Sequence, residues 1–263
     1  MGHLISLLSD FGIKDTYVGQ MKGVILSILP HAKLVDITHE VEPFNIQMGA
    51  FLLASATPRF PTGTVHLAVV DPGVGGERRP IVVETSRSIY VGPDNGLLIP
   101  AAKRDGIRKV YHLTNKSLML ERVSSTFHGR DIFAPAAAHL ASGRPPKEAG
   151  REVADYVHLS FGEAQFSNHE ATCTVIHIDR FGNVVTNFSE ENASKLVASA
   201  RLAIRLRRKT FRVKIVRAYA SIPKNELGLI VGSHGFLEIA GREISASKKL
   251  GAGIGDKVRI VSR

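Results

Sequence analysis

Apolar and polar positions fall into two textures along this chain. Residues 4–8 form a short apolar run closed by Ser9, Asp10, Phe11 and Gly12, which reads as a buried strand. Val18, Met21, Val24, Ile25, Ile28 and Leu29 then recur at helical spacing until Pro30 stops the pattern. Residues 33–37 predict a second strand. Asn45 is placed to cap a helix through Met48, Phe51 and Leu52 that ends near Pro58. Residues 64–70 are a third, nearly continuous apolar run. Strand alternating with helix in this order predicts a buried, mainly parallel sheet. Residues 81–84, 88–91 and 109–113 are further strand candidates, and the Ala-rich stretch 131–141 predicts a helix.

The texture changes after Gly143. A Gly-Arg-Pro-Pro turn opens a crossing segment, 143–170, with little periodicity. From Thr172 onward, residues 174–178, 202–207, 211–216, 227–231, 236–239 and 257–261 are short strand-like runs between turn signals. That pattern predicts a smaller all-β, barrel-like domain. The expected division is an α/β domain over 1–155, a linker over 156–171 and the β domain over 172–263.

Composition narrows the class. The chain has 263 residues, 44% hydrophobic and 22% charged, so a packed core is affordable and a disordered chain is excluded. Cys173 stands alone, so no intrachain disulfide forms, which suits a cytoplasmic protein. The first residues lack a basic stretch before an apolar run, so no signal peptide is expected, and no apolar stretch is long enough to cross a membrane. The net charge of +10 is unevenly spread. Residues 1–165 carry 17 Lys/Arg against 16 Asp/Glu, and residues 166–263 carry 17 against 8.

That excess raises a nucleic-acid reading centred on 195–217, with Lys195, Arg201, Arg205, Arg207, Arg208, Lys209, Arg212, Lys214 and Arg217. Only Phe211 interleaves among them, so a stacking platform is missing and a solvated hairpin face is favoured.

Position supplies the candidate chemistry. Ligands of open α/β sheets bind beyond the carboxyl ends of the strands. The first predicted strand ends at Asp10, with Asp15 close behind. The third ends at Asp71-Pro72-Gly73-Val74-Gly75-Gly76-Glu77-Arg78-Arg79. The glycine-rich run lacks the Gly-Lys-Ser/Thr of a phosphate loop, so nucleotide-phosphate binding is disfavoured. His128 lies at a loop–helix junction. No His or Cys spacing suits a metal. In the β half, Asp179-Arg180-Phe181-Gly182-Asn183 and Ser233-His234-Gly235-Phe236-Leu237-Glu238 are polar clusters at turns. Two such clusters plus two carboxylate loops favour a small-molecule site between the domains.

Taken in order, these segments resemble one family. Ser9-Asp10-Phe11-Gly12, Glu42-Pro43-Phe44, Val70-Asp71-Pro72-Gly73-Val74-Gly75, Gly92-Pro93-Asp94-Asn95-Gly96, Phe127-His128-Gly129-Arg130-Asp131, Asp179-x-Phe181-Gly182-Asn183 and Ser233-x-Gly235 resemble those of the S-adenosyl-L-methionine (SAM) hydroxide adenosyltransferases, or SAM hydrolases, relatives of fluorinase and chlorinase. The resemblance covers nearly the whole chain. It implies metal-independent hydrolysis of SAM to adenosine and methionine, with no cofactor. It also implies a homotrimer whose substrate lies between the α/β domain of one subunit and the β domain of the next.

The resemblance places the catalytic Asp, Arg and His on Asp71, Arg78 and His128, with Arg79 adjacent to the middle one. It places the ribose hydroxyls on Asp10, adenine on Asn183, the methionine moiety on Asp179 and Ser233, and the nucleoside near Glu238. Phe44 and Phe127 would enclose it. The halogenating relatives have Tyr where Asp71 and His128 stand, and fluorinase has an insertion after the region of Arg79 and an Arg at His234. Water or hydroxide is therefore the expected nucleophile, with Asp71 and His128 as candidates for handling its proton. A nucleoside-binding protein without turnover is the alternative.

Overall fold

The apolar runs at the start of the chain become the interior strands of a six-stranded sheet. Strands β1 (Leu4–Ser9), β2 (Lys33–Thr38), β3 (Val65–Val69), β4 (Pro80–Thr85), β5 (Ile89–Pro93) and β6 (Ile107–His112) lie in the order β2-β1-β3-β5-β4-β6. β1 pairs in parallel with β2 and β3, and β3 with β5. β4 runs antiparallel to both β5 and β6. The reversal follows from the tight turn between β4 and β5, where Thr85 Oγ1 accepts from Ser88 N at 2.9 Å, too short a connection for a crossover. The computed structural model describes residues 3–167, 170–193 and 202–262, and its contacts divide it into Met1–Ser160 and Phe161–Arg263.

In the first unit, helix α1 (Tyr17–Ile28) buries Val18, Met21 and Ile25, the spacing read from the sequence. Helix α2 (Ile46–Ala56) starts as expected at Asn45, whose side chain accepts from Met48 N at 2.9 Å. Such a cap contributes about 1 kcal/mol. Helix α3 (Ile99–Asp105) was not anticipated. Its Pro100 sits in the first turn, where no backbone donor is lost. The Ala-rich stretch begins as a π-helical turn, Gly129–Phe133, and continues as helix α4 (Ala134–Ala141). Ala134, Ala136, Ala137 and Ala138 are fully buried in the main core with Met21, Ile25 and Leu67. Small side chains let the helix lie close to the sheet, which fixes the level of His128 just before it.

The second unit has its own core around Val175, Val184, Phe188, Ile204, Leu229 and Ile260. Its strands are β7 (Gln165–Ser167), β8 (Glu170–Ile178), β9 (Val184–Ser189), β10 (Leu202–Leu206), β11 (Lys209–Val213), β12 (Leu227–Val231), β13 (Phe236–Gly241) and β14 (Lys257–Ser262). They pair antiparallel in the order β11-β10-β14-β8-β9-β13-β12, with β7 on β8. The chain just past β11 returns to β12. Val216 N donates to Leu229 O, and Leu229 N to Lys214 O, each at 2.9 Å. This contact nearly closes the sheet into a barrel and protects both edges.

The basic segment forms the β10–β11 hairpin, turning at Arg207 and Arg208 with Arg207 at φ +54°. Lys195 and Arg201 lie outside the described residues. Among the described residues, no helix is long and apolar enough to cross a membrane.

Candidate active site

Arg78 is the hub of the first unit's polar cluster. It lies just before β4, at the far end of the loop that leaves β3 at Asp71. Its Nε donates to Asp71 Oδ1 at 3.0 Å and Oδ2 at 2.9 Å, and its Nη2 to Oδ2 at 2.5 Å. The same Nη2 lies 2.7 Å from His128 Nδ1. Both partners of the ion pair are well buried, with side chains 6% (Asp71) and 10% (Arg78) exposed. The guanidinium also stacks over the Phe133 ring, 5.2 Å from its centroid.

This arrangement sets the state of His128. A guanidinium only donates, so Nδ1 accepts and the imidazole proton sits on Nε2. Burial lowers the pKa of His128 below 6.5, and the Arg78 charge lowers it further. The imidazole is therefore neutral at pH 7.

Local backbone geometry brings these groups together. Gly75, at φ +77°, packs so tightly that a Cβ there would lie 2.3 Å from the Ser125 carbonyl. That contact presses the loop after Asp71 against the segment leading to His128. Arg79 faces elsewhere. It binds Asp94 Oδ2 through Nε at 2.9 Å and Nη2 at 2.7 Å, and Asp155 Oδ1 through Nη1 at 2.8 Å. Of the two neighbouring arginines, Arg78 is the one that meets Asp71 and His128.

Asp10 lies at the carboxyl end of β1, and its Oδ2 accepts from Phe44 N at 2.9 Å. Burial raises its pKa and the Asp71 charge adds to the rise, while backbone donors from Phe44 and Asp10 itself oppose it. Phe44 is held at φ +68°, and the residue is 70% exposed. A left-handed non-glycine residue stores roughly 1–3 kcal/mol of strain, a frequent mark of ligand clamps. Phe127 is placed differently. It is buried in a cluster with Phe11 and Tyr17, at centroid distances of 5.8 and 5.2 Å, and Arg130 covers its ring. It supports the turn that carries His128.

The second unit gathers its own polar group. Asp179 Oδ1 accepts from Phe181 N at 2.9 Å and Asn183 N at 2.8 Å, and Oδ2 accepts from Asn183 Nδ2 at 2.9 Å. Gly182 within this turn has φ +83°, and a Cβ on it would lie 2.1 Å from Ser245 Oγ. Asn183 immediately precedes β9, and Glu238 of β13 pairs with Val185. Buried Glu238 accepts from Tyr219 Oη and lies 3.3 Å from His234 Nε2. Ser233 is exposed in the β12–β13 turn. Tyr219 escaped the sequence reading because it belongs to no motif. Burial, Glu238 and Asp179 all raise its pKa. Among the described residues, no group of three His, Cys, Asp or Glu side chains could hold a metal.

The comparisons with known proteins fit this geometry. Residues 5–150 match the profile of the SAM hydroxide adenosyltransferase N-terminal domain, and residues 173–259 match that of its C-terminal domain. The chain belongs to the SAM hydroxide adenosyltransferase family. A member from Methanocaldococcus jannaschii, named (R)-S-adenosyl-L-methionine hydrolase, is 39% identical over 98% of this chain and 95% of its own length. A fluorinase from Nocardia brasiliensis is 30% identical over 73% of both chains. The crystal structure of an uncharacterized conserved protein from Thermotoga maritima superposes with a TM-score of 0.93 at 39% identity, covering 98% of this chain and 99% of that one. The two profiles fall on the α/β unit and the β unit respectively. Both are parts of one SAM hydroxide adenosyltransferase architecture.

Proposed function

We propose that this chain hydrolyses S-adenosyl-L-methionine to adenosine and L-methionine by attack of water at the ribose C5′. The observation that carries the reading is the Asp71–Arg78–His128 cluster, joined through one guanidinium. The sulfonium makes methionine a good leaving group, so the enzyme's task is to hold water in line with the C–S bond. Attack by water gives a protonated alcohol, a strong acid, so even a carboxylate paired with Arg78 accepts its proton. Asp71 is our assignment for that acceptor. Arg78 stays cationic throughout. His128 Nδ1 is engaged by Arg78, leaving Nε2–H to orient the water. The Methanocaldococcus relative is named for the R configuration at sulfur, and we assign the same epimer to this chain.

Substrate contacts follow the same reading. Asp10 takes the ribose hydroxyls, and exposed Phe44 closes over the nucleoside. Asn183 takes adenine, Asp179 and Ser233 take the methionine moiety, and Glu238 lies near the nucleoside. The working form is a homotrimer in which the α/β unit of one copy and the β unit of the next complete each site, and no cofactor is required. The lone buried Cys173, its thiol pushed up to about 12 by burial, supports a cytoplasmic protein without disulfides.

The test is incubation with each sulfur epimer of SAM, followed by chromatography for adenosine and methionine. Equimolar release from the R epimer, absent with Asp71→Ala, is expected. Adenosine binding by calorimetry with no methionine formed would overturn the reading and leave a nucleoside-binding protein.

A further inference from the structure

The run Gly92-Pro93-Asp94-Asn95-Gly96 at the end of β5 has no part in the chemistry above. Its two polar side chains nevertheless reach both ends of the loop that carries that chemistry. Asp94 is buried, and each of its carboxylate oxygens is occupied. Oδ2 accepts from Arg79 Nε at 2.9 Å and Nη2 at 2.7 Å, and Oδ1 accepts from Val157 N at 2.8 Å. The Asp94 N–H donates to Arg79 O at 2.8 Å, so side chain and backbone both hold Arg79. Asn95 Nδ2 donates to Val70 O at 2.8 Å, and its Oδ1 accepts from Leu97 N at 3.1 Å.

Val70 immediately precedes Asp71, and Arg79 immediately follows Arg78. One dipeptide thus grips the chain beside the carboxylate and beside the guanidinium. The loop between holds Gly73, Gly75 and Gly76, with turn bonds from Val74 N to Asp71 O at 3.2 Å and from Gly76 N to Gly73 O at 3.0 Å. Three glycines leave such a loop many alternative conformations. The Asp71–Arg78 fork needs both loop ends in register, because a bidentate pair tolerates little displacement.

We propose that Asp94 and Asn95 are positioning residues for the hydrolytic step, Asn95 acting through Val70 on Asp71 and Asp94 acting through Arg79 on Arg78. This rests on the assignment of Asp71 and Arg78 given above. A role confined to folding makes a different prediction: fewer folded molecules, each with wild-type kinetics.

The experiment compares Asn95→Ala, Asn95→Asp and Asp94→Asn with wild type by kcat, KM for SAM and melting temperature. Asn95→Asp keeps the shape and the bond from Leu97 but replaces the donor to Val70 O with an acceptor, and the melting temperature of each variant shows whether it is folded. In each variant kcat is expected to fall, by up to about 100-fold for a displacement near 1 Å, with KM held within about threefold. Asn95→Ala is also made in the Asp71→Ala background, where it is expected to leave the residual rate unchanged, because its route to the reaction is already gone.

Wild-type kcat in folded Asn95→Asp overturns the proposal, as does a multiplicative loss in the double variant. Wild-type turnover by Asp71→Ala would instead overturn the catalytic assignment on which it rests, and the proposal with it.

Discussion

Replacing Asp71 by Asn separates what the carboxylate does for folding from what it does for hydrolysis. Arg78 now makes three contacts of 2.5–3.0 Å to its two oxygens. An amide of the same shape keeps one oxygen and turns an NH₂ toward the guanidinium. At least one buried donor is then stranded, at a cost of roughly 1–3 kcal/mol. For a unit of this size each kcal/mol lowers the melting temperature by about 2–4 °C. The catalytic cost is larger. Loss of a positioned proton acceptor removes about 10²–10⁴ in rate, or roughly 3–5 kcal/mol of transition-state stabilisation. Initial rates of adenosine release across a range of SAM concentrations, with parallel melting curves, measure both. The expected variant is folded, a few degrees less stable, nearly unchanged in KM and depressed at least 100-fold in kcat. A variant that has lost stability yet keeps kcat within about tenfold of wild type would refute the role of Asp71 as proton acceptor.

Arg78→Lys and Arg79→Lys should diverge although the residues are adjacent. The first loses the fork to Asp71 and the contact to His128, so turnover falls by several orders of magnitude; the second only loosens the hold of Asp94 and Asp155, so turnover falls by no more than about 100-fold, alongside a lower melting temperature. His66 is buried against Tyr90, 2.6 Å from Ser6 Oγ, and burial lowers its pKa to about 4. The unfolded chain binds that proton near pH 6.5, so stability is full above 6.5 and falls as pH drops toward 4, by about 3 kcal/mol in total. Denaturant melts of wild type and His66→Gln over that range check it, and an equal slope in both would refute it. Gly182→Ala forces a Cβ to within 2.1 Å of Ser245 Oγ at a left-handed φ, so a loss of roughly 1–3 kcal/mol or more is expected in chemical denaturation, with Asp179 and Asn183 displaced.

The interior strands were legible because both of their faces are buried. β1 and β3 read as nearly continuous apolar runs for that reason, interrupted only by Ser6 and Ser9 in the first and His66 in the second. β9 did not, because its Thr186 and Asn187 are polar yet buried. Thr186 Oγ1 donates to Leu237 O, and Asn187 Oδ1 accepts from Thr174 N. Paired polar groups inside a barrel leave no apolar signal. Helix α3 was hidden by its length and by Pro100, which breaks a helix in the middle but suits its first turn. The direction of β4 was not legible either, since a strand's apolar pattern does not record its orientation. At the site, Asp71, Arg78 and His128 stood out through strand-end position and family motif. The choice between Arg78 and Arg79 needed coordinates, because consecutive residues point to different neighbours. Tyr219 came from a stretch with no motif at all, and only the partner it meets, Glu238, marks it.

The chain passes from its first unit to its second once, at residues 160 and 161, and each unit has a core of its own. Lesions in this protein therefore sort by position along the gene. On the proposed assignments, changes at Asp10, Asp71 or His128 spoil one half of a site, and changes at Asn183 or Glu238 spoil the other. On the proposed homotrimer, with each site shared between neighbouring copies, two inactive alleles from opposite groups are expected to complement each other. Random mixing of equal amounts restores roughly one site in four, while two alleles from the same group restore none.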